Sequence, residues 1–363
     1  TGTTTLLGNY IGVAADGETA IANAGHGVAS YTSSPVINVG DGTSAGSNVI
    51  SGNSKSGLNQ YGGANLTVLG NFIGTDYDGD ADLGNGEDGI FIGGGSDNLV
   101  VGGNTSGERN VISGNGQSGI DINSDAGDGA VITENYIGTS ADGTTAIPNS
   151  NSGIQLGTDS NIVGGSTSGE RNVISGNSQN GVVISGGSSN TISSNYIGTA
   201  ANGTSDLGNA AYGVHISSTS SSNTIGGSTS GERNVISGNG TDGIRIDSNS
   251  SSNTVQGNYI GVDSTGNTAL TNDEQGVAII SANSNTIGGS TSGEGNVISG
   301  NTFSGITLNT ADENTIAGNI IGLGADGSTD VGNSIDGITI AANADTNLIG
   351  GTANGAGNTI SGN

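Results

Sequence analysis

The chain has no cysteine, no methionine and no tryptophan, only two prolines, and five basic residues against 32 acidic ones. Each shortage excludes something. Without cysteine there is no disulfide framework and no thiol chemistry. With aromatics at 3%, base-stacking platforms and large aromatic hot spots are scarce. A net charge of −27 repels nucleic acid and anionic membrane surfaces, so neither is expected as a partner. No apolar run approaches ~18 residues, so no membrane insertion is expected and nothing reads as a signal peptide. The chain opens on Thr1 without a methionine, which reads as a processed product or an excised piece.

What the chain has is glycine, 72 residues of 363, without a Gly-X-Y period, so it is not collagen. Hydrophobic residues make up 31%, little for a three-dimensional core but enough for a narrow one-dimensional one. The tract Asn-Val-Ile-Ser-Gly-Asn begins at Asn48, Asn110, Asn172, Asn234 and Asn296, every 62 residues, and a near copy begins at Asn358. Self-similarity at a fixed period means one unit stacked on itself.

Each unit holds six short β-type segments. From Asn110 they are Val111-Ile112-Ser113, Gly119-Ile120-Asp121-Ile122, Val131-Ile132-Thr133, Tyr136-Ile137-Gly138, Gly153-Ile154-Gln155-Leu156 and Asn161-Ile162-Val163. Alternating apolar residues give the period-2 signature of a strand with one buried face. No window keeps a 3.6 period, and the Gly, Asn and Ser content disfavours helix. Strands this short cannot form a sheet alone. Stacked coil on coil they make three parallel sheets around an Ile/Val core, two coils per unit and about twelve coils, a rod roughly 55–60 Å long at ~4.8 Å per strand. Glycine before each Ile-x-Ile is expected to take positive φ at a tight corner. The paired asparagines of the repeated tract are expected at corners too, bonded to their equivalents one coil away.

These units resemble those of right-handed parallel β-helix repeat proteins, the pectin-lyase-like superfamily. In particular they are similar to the Asn-x-Ile-x-Gly-Asn and Gly-Ile-x-Ile repeats of large secreted or cell-surface bacterial proteins. The resemblance runs from Gly8-Asn9-Tyr10-Ile11-Gly12 to Ser361-Gly362-Asn363. It implies an all-β, right-handed parallel β-helix and an extracellular or cell-surface location. It does not by itself imply an activity, because that superfamily holds lyases, hydrolases, adhesins and passive stalks.

A catalytic site needs unlike residues at one spot. Gly25-His26-Gly27 matches the His piece of polygalacturonases by letters, but no Arg-x-Lys and no Asp-Asp accompany it, so His26 reads as a corner residue. His215, outward in Val214-His215-Ile216, and the lone Lys55 lack supporting patterns. Arg109, Arg171 and Arg233 share one register and are expected to pair locally with Glu108, Glu170 and Glu232 or to cap loop carbonyls. Arg245, outward in Gly243-Ile244-Arg245-Ile246, is the one odd basic residue on a sheet face. No catalytic residue is assigned. The strongest chemical signal is Asp76-Tyr77-Asp78-Gly79-Asp80-Ala81-Asp82, with Glu87 beyond. Asp76, Asp78, Asp80 and Glu87 follow the spacing of an EF-hand loop, although Ala81 replaces its glycine. Asp76, Asp78, Asp80, Asp82 and Glu87 are therefore candidate calcium ligands, and calcium is the one candidate cofactor. Outward positions hold Ser, Asp, Gln and Arg without a Thr-x-Thr register, which argues against ice binding.

These observations lead to a single β-solenoid domain over residues 1–363, six units lacking one short segment, with no atypical cap at either end. The expected role is a non-enzymatic structural or adhesive stalk, a segment of a longer array or a rod stacking end to end on copies of itself, with surface glycans as the other candidate partner. The alternative is a carbohydrate-active enzyme or glycan-binding protein of the pectin-lyase-like type.

Overall fold

The computed structural model describes residues 2–31, 36–63 and 65–363. Thr1, the expected start of the solenoid, lies outside them. All paired strands of the coil are parallel and each pairs with its equivalents one coil before and after, giving two sheets of twelve strands and one of eleven. The chain thus completes about eleven turns rather than twelve, because the last coil carries strands of the first two sheets only. The six segments expected from Asn110 correspond to Val111–Ile112, Ile120–Ile122, Val131–Ile132, Tyr136–Ile137, Ile154–Leu156 and Ile162–Gly164. Among the described residues no α-helix occurs; a single 3-10 turn spans Ser168–Glu170.

The alternation of each strand decides what fills the rod. Ile120 and Ile122, Ile154 and Leu156, Ile132, Ile137 and Ile174 point inward, essentially inaccessible to solvent, and join one continuous core. Asparagines line the corners in three ladders. In the first, Asn172 donates from Nδ2 to Asn195 Oδ1 at 2.9 Å, and Asn195 to Asn234 Oδ1 at 3.1 Å. Nδ2 also reaches back to a carbonyl of the preceding coil, as Asn195 does to Val163 O at 2.9 Å. A second ladder runs through Asn115, Asn149 and Asn177. A third, from Asn161 through Asn190 to Asn223, lies outside the repeated hexad. The amide therefore serves as both donor and acceptor where strands end, and pairs the backbone groups it reaches there. The ladder asparagines of the hexad do not adopt positive φ.

The glycine before each third-sheet strand has a different reason from the one expected. Gly119 is not among the positive-φ glycines. A Cβ there would stand 2.7 Å from the Gly153 carbonyl of the next coil and 2.8 Å from Ile137 Cγ2. Close approach of the next coil, not left-handed backbone, demands glycine.

Two ridges rise from the rod. Short hairpins close with antiparallel bridges such as Thr75–Asp82 and Thr139–Ala146. Successive hairpins, two coils apart, bond directly: Ala141 N donates to Gly79 O and Ala201 N to Gly143 O, both at 2.9 Å. The Gly-Gly-Ser-Thr-Ser-Gly-Glu loops form the other ridge. Between the ridges lies the outer face of the second sheet, where Val111, Tyr136, Val173, Tyr196, Val235 and Tyr259 alternate. On the outer face of the first sheet Thr191, Thr224, Thr254, Thr286 and Thr315 stand in one file. The positions beside them are Ser193, Gly226, Gln256, Gly288 and Ala317, so no second file accompanies the first.

Candidate functional site

The third sheet breaks the repetition. Its outward row runs Asn59, Phe91, Asp121, Gln155, Val183, His215, Arg245, Ala278 and Thr307, unlike residues on successive coils. The corner row before it is equally mixed, with His26, Asp88, Tyr212, Asp242 and Gln275 each preceding the invariant corner glycine of its coil. Core packing fixes the inward residues and leaves these outward positions free to vary.

Chemistry converges where Val214–Ser217 pairs with Ile244–Ile246. That register sets His215 beside Arg245. Tyr212, three residues ahead of His215, has its ring centroid 5.0 Å from the imidazole at an interplanar angle of 54°. Asp247 Oδ2 lies 3.2 Å from His215 Nε2 and accepts from Arg245 Nε at 3.2 Å. Arg245 Nη1 donates to Asp242 at 3.4 Å, and its guanidinium stands 5.7 Å from the Tyr212 ring centroid. Asp242 is fully buried beneath the arginine, and its other oxygen accepts from Gln275 N at 3.1 Å. Burial pushes the Asp242 carboxyl up to about 6, against the opposing pull of the Gln275 amide and Arg245. Burial also acts upward on Asp247, but hydrogen bonds from Ser248, His215 and Arg245 outweigh it and hold that carboxyl below its ordinary range. The Tyr212 hydroxyl is raised, first by burial. Two carboxylates on one arginine are thus driven apart, the situation in which acid and base roles separate.

A second group lies four coils away. Asp121 stands in file between Phe91 and Gln155, and its Oδ1 is buried without a hydrogen-bond partner. Burial, and then the charge of Asp88, push its carboxyl up to about 7. Asp88 itself is raised to about 6, again chiefly by burial.

The residues singled out from sequence fall elsewhere. Asp76 is buried and its Oδ1 accepts from Asp80 N and Ala81 N at 2.9 and 3.1 Å, closing the hairpin. Asp82 Oδ1 accepts from Gly84 N at 2.9 Å. Glu87 lies 3.9 Å from Lys55 on the neighbouring corner. Asp78 sits beside the Tyr77 hydroxyl. Among the described residues no three His, Asp or Glu gather as they would around a metal ion, these five carboxylates included. His26 Nε2 lies 3.0 Å from Asn59 Nδ2, and burial lowers its pKa.

The three repeated arginines do not pair with the glutamates next to them. Glu170 accepts from Ser166 N, Thr167 N and Thr167 Oγ1 at 2.9–3.0 Å, capping its own loop. Arg171 instead crosses to the next coil and lies 4.2 Å above the Tyr196 ring; Arg109 and Arg233 lie 4.1 and 4.2 Å above Tyr136 and Tyr259. Loop amides are the donors for the glutamate, while the guanidinium caps a carbonyl, as Arg171 Nε does Ser194 O and Arg233 Nε does Gly257 O, and stacks on the ring beside it. Tyr212, Asp242 and Asp247 carry no site role in the sequence reading. Their signal was positional: aligning coils places residues 212, 215, 242, 245 and 247 in one patch.

With fold and patch in hand, the protein is a parallel β-helix, an all-β solenoid whose third sheet carries a cluster of mixed ionisable side chains. No family model matches the chain and no curated protein matches it. Among solved structures it is similar to the A-module of mannuronan C-5 epimerase AlgE4 from Azotobacter vinelandii, at 15% identity and a TM-score of 0.42, over 99% of this chain and 91% of that one. It is also similar to the periplasmic alginate epimerase AlgG, at 13% identity and a TM-score of 0.40, over 86% of this chain and 60% of that one. A double mutant of AlgG gives 14% and 0.41, and the match spans 62% of that chain. The likeness is one of fold. The expectation of a non-enzymatic stalk is corrected here by the third sheet, which gathers unlike ionisable groups where a passive rod would present rows of like ones.

Proposed function

We propose that the chain is an extracytoplasmic carbohydrate-active enzyme of the pectin-lyase-like type, which takes a polysaccharide along the outer face of the third sheet and performs proton-transfer chemistry on a uronosyl residue. The observation that supports this reading is the convergence of Tyr212, His215, Arg245 and Asp247 on two adjacent coils. Abstraction of the proton next to a sugar carboxylate needs a cation to neutralise that carboxylate and a base to take the proton. Among the described residues Arg245 is the only arginine on this sheet face, and with Nε and Nη1 held by Asp247 and Asp242 its Nη2 remains to meet a carboxylate. With Nε2–H donating to Asp247, the His215 Nδ1 lone pair remains for the proton. Tyr212, its ring beside His215 and Arg245, adds a hydroxyl to the same patch. Asp242, buried under Arg245, positions the guanidinium without touching substrate.

The test is incubation with alginate and with pectate in deuterated water, reading unsaturated uronate by ultraviolet absorbance and deuterium at the sugar ring by NMR. Turnover or exchange should appear and fall by about two orders of magnitude or more in His215→Ala and Arg245→Ala. Because the chain is strongly acidic, the rate on a polyanion should rise with ionic strength as repulsion is screened. Absence of both signals on every uronate polymer, or activity indifferent to His215→Ala, would remove the reading.

A further inference from the structure

The outer face of the second sheet contains an internal ruler. In three units an arginine precedes the corner asparagine and covers the ring one coil on: Arg109 over Tyr136, Arg171 over Tyr196 and Arg233 over Tyr259, at 4.1–4.2 Å. Arg171 Nε donates to Ser194 O at 2.9 Å and Arg233 Nε to Gly257 O at 3.1 Å, in each case the carbonyl two residues before the tyrosine. One unit earlier the ring is Phe72, paired through Val49 in the same register, but the arginine position is Ser47. The equivalent carbonyl, Gly70 O, takes the short serine hydroxyl instead.

The space that a guanidinium fills in the other three units is open here. It forms a cavity of about 420 Å³ lined by Phe72, Tyr10, Tyr77, Val49, Ser47 and Arg109. It holds three of the chain's eleven aromatic residues, 8 Tyr and 3 Phe. The Tyr77 hydroxyl at its rim lies in the field of Asp78, Glu18 and Asp76. The cation at its edge is already committed, since Arg109 is paired with Glu134 and stacked on Tyr136. A pocket with aromatic walls and a carbonyl acceptor, with acids close to one of its rings, suits a planar, weakly hydrated cation.

We propose that the slot between Ser47 and Phe72 is a binding site for a guanidinium group supplied by another molecule, which lies where the chain's own arginines lie in the other units. The chain contains its own negative control. At the end of the array Gly295 replaces the arginine, but Ile320 also replaces the ring, and the cavity of about 450 Å³ there has no aromatic wall. An empty arginine position with no π-face should bind no guanidinium.

The experiment titrates the intact chain with n-butylguanidinium and, in parallel, with the neutral isostere n-butylurea at matched ionic strength. NMR shifts of the Phe72, Tyr10 and Tyr77 rings report site occupancy, and calorimetry gives stoichiometry. Saturable one-to-one binding of the guanidinium is expected, with at least tenfold preference over the urea. Ser47→Arg should fill the slot from within and abolish binding while raising the melting temperature. Phe72→Leu, which keeps apolar volume but removes the π-face, should weaken binding at least tenfold even if Ser47→Arg folds poorly. A short acetylated arginine peptide run alongside distinguishes a polypeptide donor, which gains affinity from flanking contacts, from a free guanidine, which does not. Non-saturating shifts, equal affinity for butylurea, or binding unchanged in Phe72→Leu would overturn the proposal.

Discussion

A single ladder asparagine makes more hydrogen bonds than its small side chain suggests. Asn195 donates from Nδ2 to Val163 O, Ser193 O and Asn234 Oδ1, and its Oδ1 accepts from Nδ2 of Asn172. Asn195→Ala strands the Asn172 amide and the Val163 carbonyl in a buried corner, and should cost about 3 kcal/mol by urea denaturation, a sum of two unmet groups. Asn195→Asp should cost more. It keeps the shape but turns a donor into an acceptor facing three oxygens. If the aspartate were as stable as the asparagine, the ladder would not be what holds the corner. The arginines make a second prediction at this scale. A double-mutant cycle between Arg171 and Tyr196 should give a coupling of about 1 kcal/mol, and one between Arg171 and Glu170 about zero, because the ring rather than the glutamate is the partner.

Among the elements, the third sheet combines strand alternation with buried acids. Asp121 is raised to about 7 and Asp88 and Asp242 to about 6, all chiefly by burial. A carboxyl whose folded pKa exceeds its unfolded one binds its proton more tightly in the folded state. Its contribution is therefore present below the unfolded value, near 4, and is lost as pH rises to the folded value. The melting temperature should fall between about pH 4 and pH 7, and Asp121→Asn should flatten that slope, matching the wild type near pH 4 and exceeding it near pH 8. Loop-capping acids such as Glu170 and Asp142, held below their ordinary range by hydrogen bonds, work the other way. They lose their contribution only as pH falls below about 4. Identical pH profiles for wild type and Asp121→Asn would contradict the assignment. At this level the limits of the sequence are plain. Period-2 alternation places Ile120 and Ile122 inside and Asp121 outside, so strands, sheets and core were all legible. The grouping of Tyr212, His215, Arg245 and Asp247 was not, because it depends on which coil neighbours which, and coils alternate in length. His215 and Arg245 looked isolated while they were 30 positions apart in the chain; they are adjacent rungs in the sheet. In the acid-rich hairpin the sequence shows the carboxylates but not their backbone partners: Asp76 accepts from Asp80 N and Ala81 N, and Asp82 from Gly84 N.

For the whole molecule, the open question is why the period is 62 residues when each coil needs only about half that. The hairpins answer it. Each is two chains thick, while one coil rises by only ~4.8 Å, so hairpins on every coil would overlap. On alternate coils they meet at hydrogen-bonding distance, as Ala141 N does with Gly79 O and Ala201 N with Gly143 O. The other ridge obeys the same spacing: a Cβ on Gly231 would lie 2.0 Å from Ser166 O of the loop one unit earlier. Ridge thickness, not core packing, sets the repeat. Removal of residues 110–171 should therefore leave a folded protein. Asn172 would succeed Arg109, Arg109 would take the place of Arg171 above Tyr196, and Ala201 would meet Gly79. Circular dichroism per residue should be unchanged, melting should stay cooperative, and activity assigned to His215 and Arg245 should survive. Removal of residues 111–135, one coil, preserves the asparagine ladder and the core but places the hairpins at Thr75–Asp82 and Thr139–Ala146 on adjacent coils. That variant should melt much lower or aggregate. If the one-coil deletion proved as stable as the two-coil deletion, the ridges would not be the origin of the period.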